Sequence, residues 1–557
     1  MFKIKKMSSR IIFYILIILN ISSLFCHRCG TDLLIRKLNL KTNQSSNQIS
    51  RRRLGNGFTP INILIDYTTL DIQKNQGTLS KENYNNFKTE LDKIVEYFKK
   101  IVYVQHENIY SSNLKRLINE NCASQSTMIG TYINSYDLIV FPRVDTEGDY
   151  LSSGIIAAAA HCLSSSYTSR PIAGIILLNK ELNSKSDVQY YIRNAIFHEF
   201  FHILGFNTMF FTQKYTENSY TYLNSPKLLE KAKIHFGCSD LKGLRLEDQG
   251  GSGTAGSHWD ARYMQGELMI GEDYSEVVMS DMTLAFLEDL GYYEVNYYTG
   301  GLFRFGKNQG CSFFQKRCVY GEGTLFPNEF CYESNKPFCS GSLTSKGNCF
   351  IAKYVNLLPE KYRYFTNDYV GGKIMTDYCP ISFYSSLDGN YNYPTNCIYG
   401  KKENNDEIIG SNSICFESSI NLGSKASICY EIECDRNNKQ FKVIIGKNSV
   451  ICNGKRNEMT NPNGLAGSLL CPDYNMVCTS KIWCNNIYDC IENGSTADET
   501  TFDIFSNKEE LLQRDKTMLS VNDNSKCTIE EINDGFNIKY EWSKLIRQFI
   551  LLIINFM

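Results

Sequence analysis

The chain has 557 residues, 43% of them hydrophobic, with 58 Lys and Arg set against 59 Asp and Glu. That length exceeds one core at roughly 100 to 200 residues per domain, and the balanced charge excludes the basic footprint of a nucleic-acid binder. Its 21 cysteines, most of them between Cys311 and Cys490, point to an oxidising compartment and a disulfide framework. At the N-terminus Lys3, Lys5, Lys6 and Arg10 precede the apolar run Ile11 to Phe25, the layout of a secretory signal. The run is shorter than the ~20 residues that span a bilayer, and we assign a signal to residues 1–25. Residues 26–53 read as a propeptide: the polar, Asn- and Ser-rich stretch Leu38 to Ser50 ends in Arg51, Arg52 and Arg53, which suits a processing site, although a solvated disordered tail has the same composition.

Ile61 to Tyr67 then predicts a strand. Asn83 to Val102 places Phe87, Leu91, Ile94, Val95, Phe98 and Ile101 at the 3-and-4 spacing of an amphipathic helix. Tyr136 to Pro142 and Pro171 to Leu178 predict further strands, and Val188 to Phe206 returns to helical periodicity, so the N-terminal part is mixed α/β. Beyond Tyr298 frequent Cys, Gly, Asn and Tyr predict a loop-rich, disulfide-stapled region extending to about Cys490. The final apolar stretch, Leu545 to Met557, is interrupted by Arg547 and is preceded by Asn533, Asp534 and Gly535. It has the form of a lipid-anchor attachment signal, with a packed amphipathic helix as the alternative. Asn43-Gln44-Ser45 and Asn493-Gly494-Ser495 are glycosylation sequons, and the acidic loop from Cys484 to Glu499 reads as solvated rather than calcium-binding.

The chemistry concentrates at His198-Glu199-Phe200-Phe201-His202, a His-Glu-x-x-His pattern on the second predicted helix. Histidines four apart stand one turn above each other and can take two corners of a zinc tetrahedron. Glu199 falls beside the position of an attacking water, where a general base is needed. Gly205, three residues after His202, suits a helix that must end abruptly in a backbone of positive φ. A catalytic zinc site needs a third protein ligand and an open position. Of seven histidines in the chain, His258 follows the Gly- and Ser-rich run from Gln249 to Ser257, and Met269 lies downstream in Gly266-Glu267-Leu268-Met269. On spacing alone His258 stays open between ligand and satisfied loop histidine, and a downstream glutamate is an alternative third ligand.

These residues resemble a metzincin site, with a methionine turn beneath three histidines. More specifically, His198 to Phe206, Glu247 to His258, Met269 and Met282 to Tyr293 resemble the leishmanolysin family, in which a long insertion separates the second and third ligands. The likeness extends from about Ile61 to Cys478 and takes in Gly310 to Phe313 and Met375 to Pro380. It implies one Zn²⁺ per chain held by His198, His202 and His258, with Met269 as the Met-turn residue and Glu199 as the catalytic base. The fold it implies is α+β: a metzincin-like mixed α/β catalytic domain (54–206), a central domain with the third ligand (207–298) and a disulfide-rich C-terminal domain (299–520), followed by a tail (521–557). His27-Arg28-Cys29-Gly30 resembles the inhibitory propeptide segment, making Cys29 a candidate cysteine switch. The 21 cysteines less Cys26 and Cys29 leave an odd number, so one thiol stays unassigned.

The expected activity is hydrolysis of peptide bonds in protein or peptide substrates, with no nucleic-acid partner. The expected location is outside the cell, secreted or held on the plasma membrane's extracellular face through a C-terminal lipid anchor. The competing reading is a surface adhesion glycoprotein of the same fold with little proteolysis, which the presence of Glu199 argues against.

Overall fold

The computed structural model describes Arg28–Cys29, Leu34 and, with breaks, residues 57–478; the longest breaks are 123–135 and 384–394. The expected signal, the arginine run, both sequons, the acidic loop after Cys484 and the C-terminal apolar tail lie outside the described residues. No helix among the described residues is long and apolar enough to cross a membrane.

A five-stranded sheet combines β1 (Arg28–Cys29), β2 (Ile63–Ile65), β3 (Leu138–Asp145), β4 (Ile155–Ser164) and β5 (Pro171–Asn179) in the order β1–β4–β5–β3–β2. β2, β3 and β5 are mutually parallel; β4 runs antiparallel to β5, and β1 lies parallel to β4 at Ile155 and Ala157. Every residue of β5 is buried, which explains the unbroken apolar run from Pro171 to Leu178: a strand covered on both faces has no polar side to alternate with.

Two helices cover one face. α1 (Lys81–Ile101) is capped by Ser80, whose side chain accepts from the Asn83 N–H, and it buries Phe87, Leu91, Ile94 and Phe98. α2 (Gln189–Leu204) packs against it through Phe98, whose ring centroid lies 4.9 Å from Phe197, 5.1 Å from Phe200 and 5.6 Å from Phe201. Arg193 of α2 and Glu90 of α1, each buried, close an ion pair between the helices. A side chain at Gly174 of β5 would collide with Ile203, so the absence of one sets how closely α2 approaches the sheet.

One apolar core runs without interruption from Ile61 to Ile381, and a second gathers residues from Cys339 to Cys478. The second core belongs to a six-stranded antiparallel sheet: β6 (Ser413–Ser418), β7 (Ala426–Asp435), β8 (Gln440–Ile445), β9 (Asn448–Cys452), β10 (Asn457–Thr460) and β11 (Ser468–Cys471), in the order β9–β8–β7–β6–β11–β10. This sheet corrects the loop-rich expectation for the cysteine-rich region. The described residues contain eight disulfides: Cys122–Cys162 behind the first sheet, and Cys238–Cys311, Cys318–Cys379, Cys331–Cys349, Cys339–Cys415, Cys397–Cys429, Cys434–Cys478 and Cys452–Cys471.

His161 of β4 is buried against Phe210, ring centroids 5.0 Å apart, and burial pushes its pKa from 6.5 down to about 4. The folded chain therefore holds this ring neutral while the unfolded chain takes up a proton as pH falls below about 6.5, and stability declines over that window by up to ~1.4 kcal/mol per pH unit. A His161→Leu chain is expected to lose less urea stability than the wild type between pH 6.5 and 4, read from disulfide-intact unfolding curves.

Candidate metal centre

α2 is apolar on almost every side, with Ile196, Phe197, Phe200, Phe201, Ile203 and Leu204 fully buried, so it lies inside the core rather than on its surface. His198 and His202 emerge from its remaining face. The helix ends at Gly205, whose φ is 123° and where a Cβ would meet Leu290 at 2.8 Å; Phe206 N–H then bonds back to Phe201 O at 2.8 Å. Only glycine tolerates that backbone in that space.

The third histidine arrives on the segment from Arg245 to Met269. Glu247 N–H donates to His258 O at 2.9 Å, and Trp259 N–H donates to Met269 O at 2.9 Å. Trp259 is fully buried, 4.9 Å from the Phe206 ring, and its Nε1–H donates to Thr283 Oγ1 at 2.8 Å. A side chain at Gly271 would run into Thr254, so that glycine lets the loop carrying Thr254 to His258 fold down onto the methionine turn.

The structure brings the three imidazoles together. His198 and His202 Nε2 lie 3.0 Å apart, and each is 3.2 Å from His258 Nε2. Each Nδ1 faces a backbone carbonyl: His198 with Leu268 O at 2.6 Å, His202 with Phe206 O at 2.5 Å, His258 with Thr254 O at 2.9 Å. A carbonyl only accepts, so each Nδ1 carries the proton and each Nε2 turns a bare lone pair inward. Burial pushes His198 down to about 4 and His258 down to about 3, and it holds His202, with its imidazole neighbours, well below the usual histidine range. Three neutral acceptors converge with no proton between them, an arrangement that repels itself unless a cation sits at the centre. Ligand nitrogens at ~2.0–2.1 Å from a tetrahedral zinc stand roughly 3.3 Å from one another, and the observed separations fit that spacing.

Glu199 is buried beside His198. Met269 is fully buried on the turn whose preceding residue, Leu268, accepts the His198 Nδ1–H hydrogen bond at its carbonyl. Cys29 falls on β1, which pairs with β4.

Two carboxylate features escaped the sequence reading. Asp248, Asp260 and Asp377 gather within 4.8 Å of one another, but their cation is Arg245: its guanidinium bonds to both Asp260 and Asp377 and lies 3.8 Å from Asp248. It also covers the Tyr220 ring at 4.0 Å. The second is Glu267, fully buried, which accepts from Met269 N–H at 2.5 Å, Ser280 N–H at 3.1 Å, Ser280 Oγ–H at 2.9 Å and Thr283 Oγ–H at 2.5 Å. Burial raises its pKa and these four donors oppose the rise, leaving it at about 7. Short-range sequence patterns give no sign of either, because each set of partners is completed only by residues outside the local segment.

The family model described as leishmanolysin matches residues 125–484. A leishmanolysin homolog of Crithidia fasciculata is 34% identical over 241 residues, 41% of this chain and 36% of that protein. Leishmanolysin of Leishmania major is 27% identical over 374 residues, covering 62% of this chain and 60% of its own length. A leishmanolysin-like peptidase of Caenorhabditis elegans is 28% identical over 367 residues, 52% of this chain and 55% of that protein. The chain thus spans from about a third to three-fifths of the length of these relatives. The family match takes in α2, the His258 loop and the methionine turn together with most of the disulfide-bonded region, and the chain belongs to the leishmanolysin family.

Proposed function

We propose that this chain is a zinc-dependent endopeptidase acting on proteins or peptides outside the cell. The observation that carries the reading is the convergence of three Nε2 lone pairs within 3.2 Å, each ring locked by its Nδ1–H on a backbone carbonyl. His198, His202 and His258 would hold one zinc ion, which when bound supplies a Lewis acid for the scissile carbonyl and for water. The chain's own contribution to the reaction is Glu199. Carried on a rigid, fully packed helix one residue from His198, its carboxylate accepts a proton from the attacking water and delivers it to the leaving amine. The low basicity that burial gives the three rings keeps them in the neutral form that binds metal rather than protons. Met269, buried in the turn next to Leu268, forms the floor of the site.

The membership of Arg28–Cys29 in the sheet through β4 supports a propeptide that lies along the catalytic sheet, with Cys29 as the thiol that keeps the site latent until the segment is removed. Eight disulfides support an oxidising, extracellular setting. The test is metal content against activity. The processed protein is expected to carry one zinc per chain, to lose cleavage of a protein substrate on chelation and to regain it on zinc addition. Cleavage that persists after the metal has been removed would sink the proposal.

A further inference from the structure

We propose that Glu267 is a positioning residue of the metal centre, acting on His198 through the single peptide unit between Leu268 and Met269. The inference rests on the zinc reading above and extends it to a residue no ligand touches. The carbonyl of that peptide, Leu268 O, accepts the His198 Nδ1–H at 2.6 Å, and its N–H, on Met269, donates to Glu267 Oε2 at 2.5 Å. Carboxylate, peptide and imidazole therefore form one continuous chain of donors and acceptors that ends at the inward-facing Nε2. A negative charge at one end polarises the peptide, makes its carbonyl a stronger acceptor and leaves the imidazole more electron-rich toward a metal.

The other two ligands lack this arrangement. His202 donates to Phe206 O, and the N–H of the same peptide, on Asn207, donates to the neutral carbonyl of Gly205 at 2.8 Å. His258 donates to Thr254 O, and the matching N–H, on Ala255, donates to the Gly251 carbonyl at 2.9 Å. Of the three carbonyls, only that of Leu268 is backed by a carboxylate. Three neutral imidazoles contribute no charge against a divalent cation, which gives a buried anion one peptide away an electrostatic purpose.

The surroundings present donors to the carboxylate. Thr283 Oγ1 already accepts from Trp259 Nε1–H, and Ser280 Oγ accepts from Thr283 N–H at 3.2 Å. Both hydroxyl protons are thereby directed at Glu267, as are the two backbone N–H groups. Two backbone N–H groups and two hydroxyls donate to this side chain, one backbone N–H to each carboxylate oxygen, an arrangement that suits a carboxylate. A glutamine there would turn its NH₂ toward a backbone N–H in either amide orientation, Met269 N–H on one side or Ser280 N–H on the other.

The experiment uses the full chain, with zinc affinity read by chelator competition and the ring N–H resonances read from ¹⁵N-histidine-labelled, zinc-loaded protein. Glu267→Gln is expected to weaken zinc binding about 10- to 100-fold and to move the His198 Nδ1–H resonance upfield while those of His202 and His258 stay in place. Ser280→Ala, read at a pH well above 7 so that the carboxylate stays ionised, removes one of its donors, concentrates its charge on the remaining ones, and is expected to move the same resonance downfield. The proposal is overturned by a Glu267→Gln chain that holds zinc as tightly as the wild type, by three resonances that shift together, or by Ser280→Ala moving His198 upfield. If Glu267→Gln does not fold, the direction of the Ser280→Ala shift decides alone. A wild-type chain that binds no zinc overturns the metal reading itself, a result distinct from all of these.

Discussion

Glu199→Ala is expected to slow cleavage of a general protein substrate by roughly 10²- to 10⁴-fold, the usual worth of a positioned general base, while the zinc content stays at one per chain. The two halves of that expectation are independent. Glu199 is not among the three side chains whose nitrogens converge, so its removal leaves the metal-binding set intact. Truncating a buried carboxylate removes a desolvated charge and leaves a small cavity, a cost that the packing of α2 against Phe98 and the sheet can carry. Cleavage by the alanine chain at the wild-type rate would remove Glu199 from the mechanism. If both chains hold zinc and neither cleaves any of a broad panel of proteins, the binding-glycoprotein reading takes the lead.

Arg245→Met is expected to give the largest loss of stability among single substitutions outside the metal ligands, about 3–5 kcal/mol. Asp260 is fully buried and Asp377 is 2% exposed, and Arg245 is the cation paired with both. Methionine fills much of the same volume but leaves two carboxylates to protonate or to remain charged in a poorly solvated place. Asp260 already sits near pKa 7 because burial outweighs the pull of Arg245. Disulfide-intact urea unfolding measures the loss, and adding Asp260→Asn and Asp377→Asn to Arg245→Met is expected to restore much of it. A single substitution that costs less than about 1 kcal/mol, the scale of an exposed ion pair, would show that the network is not the fastening it looks to be.

The parts of the fold that follow one-dimensional periodicity were legible in the sequence. α1 and α2 were read from their 3-and-4 spacing and β3 and β5 from their β-branched runs, with ends displaced by a few residues. β4 was missed because Ala157 to Ala160 carry neither alternation nor β-branching; a strand interior to a sheet accepts small residues that in isolation favour a helix. The six-stranded sheet was missed for another reason. Phe441, Val443 and Ile445 of β8 alternate in burial with their neighbours, a clear strand signal, but the density of cysteines drew the reading toward loops. At the candidate site, the His198 and His202 spacing was legible because both residues share one helical turn. His258 could be reached only through resemblance, since nothing local distinguishes it from a loop histidine. Glu267 and Arg245 remained hidden because their partner sets, though each includes a residue two or three positions away, are completed by residues up to 16 positions away for Glu267 and 132 for Arg245.

The link from Asp260 through Arg245 to Asp377 also sets an order of events during synthesis. The chain emerges N-terminus first, so α2 and its two histidines can pack while residue 377 is still to be made. The loop that carries the third histidine, held also through Trp259, completes its charged fastening only when Asp377 and the adjoining Cys318–Cys379 bond come into place. A three-histidine site whose third loop is tied to a residue so far downstream is completed after the helix that supplies its first two histidines. On the function proposed above, that timing keeps the three-histidine site incomplete while the nascent polypeptide is still exposed.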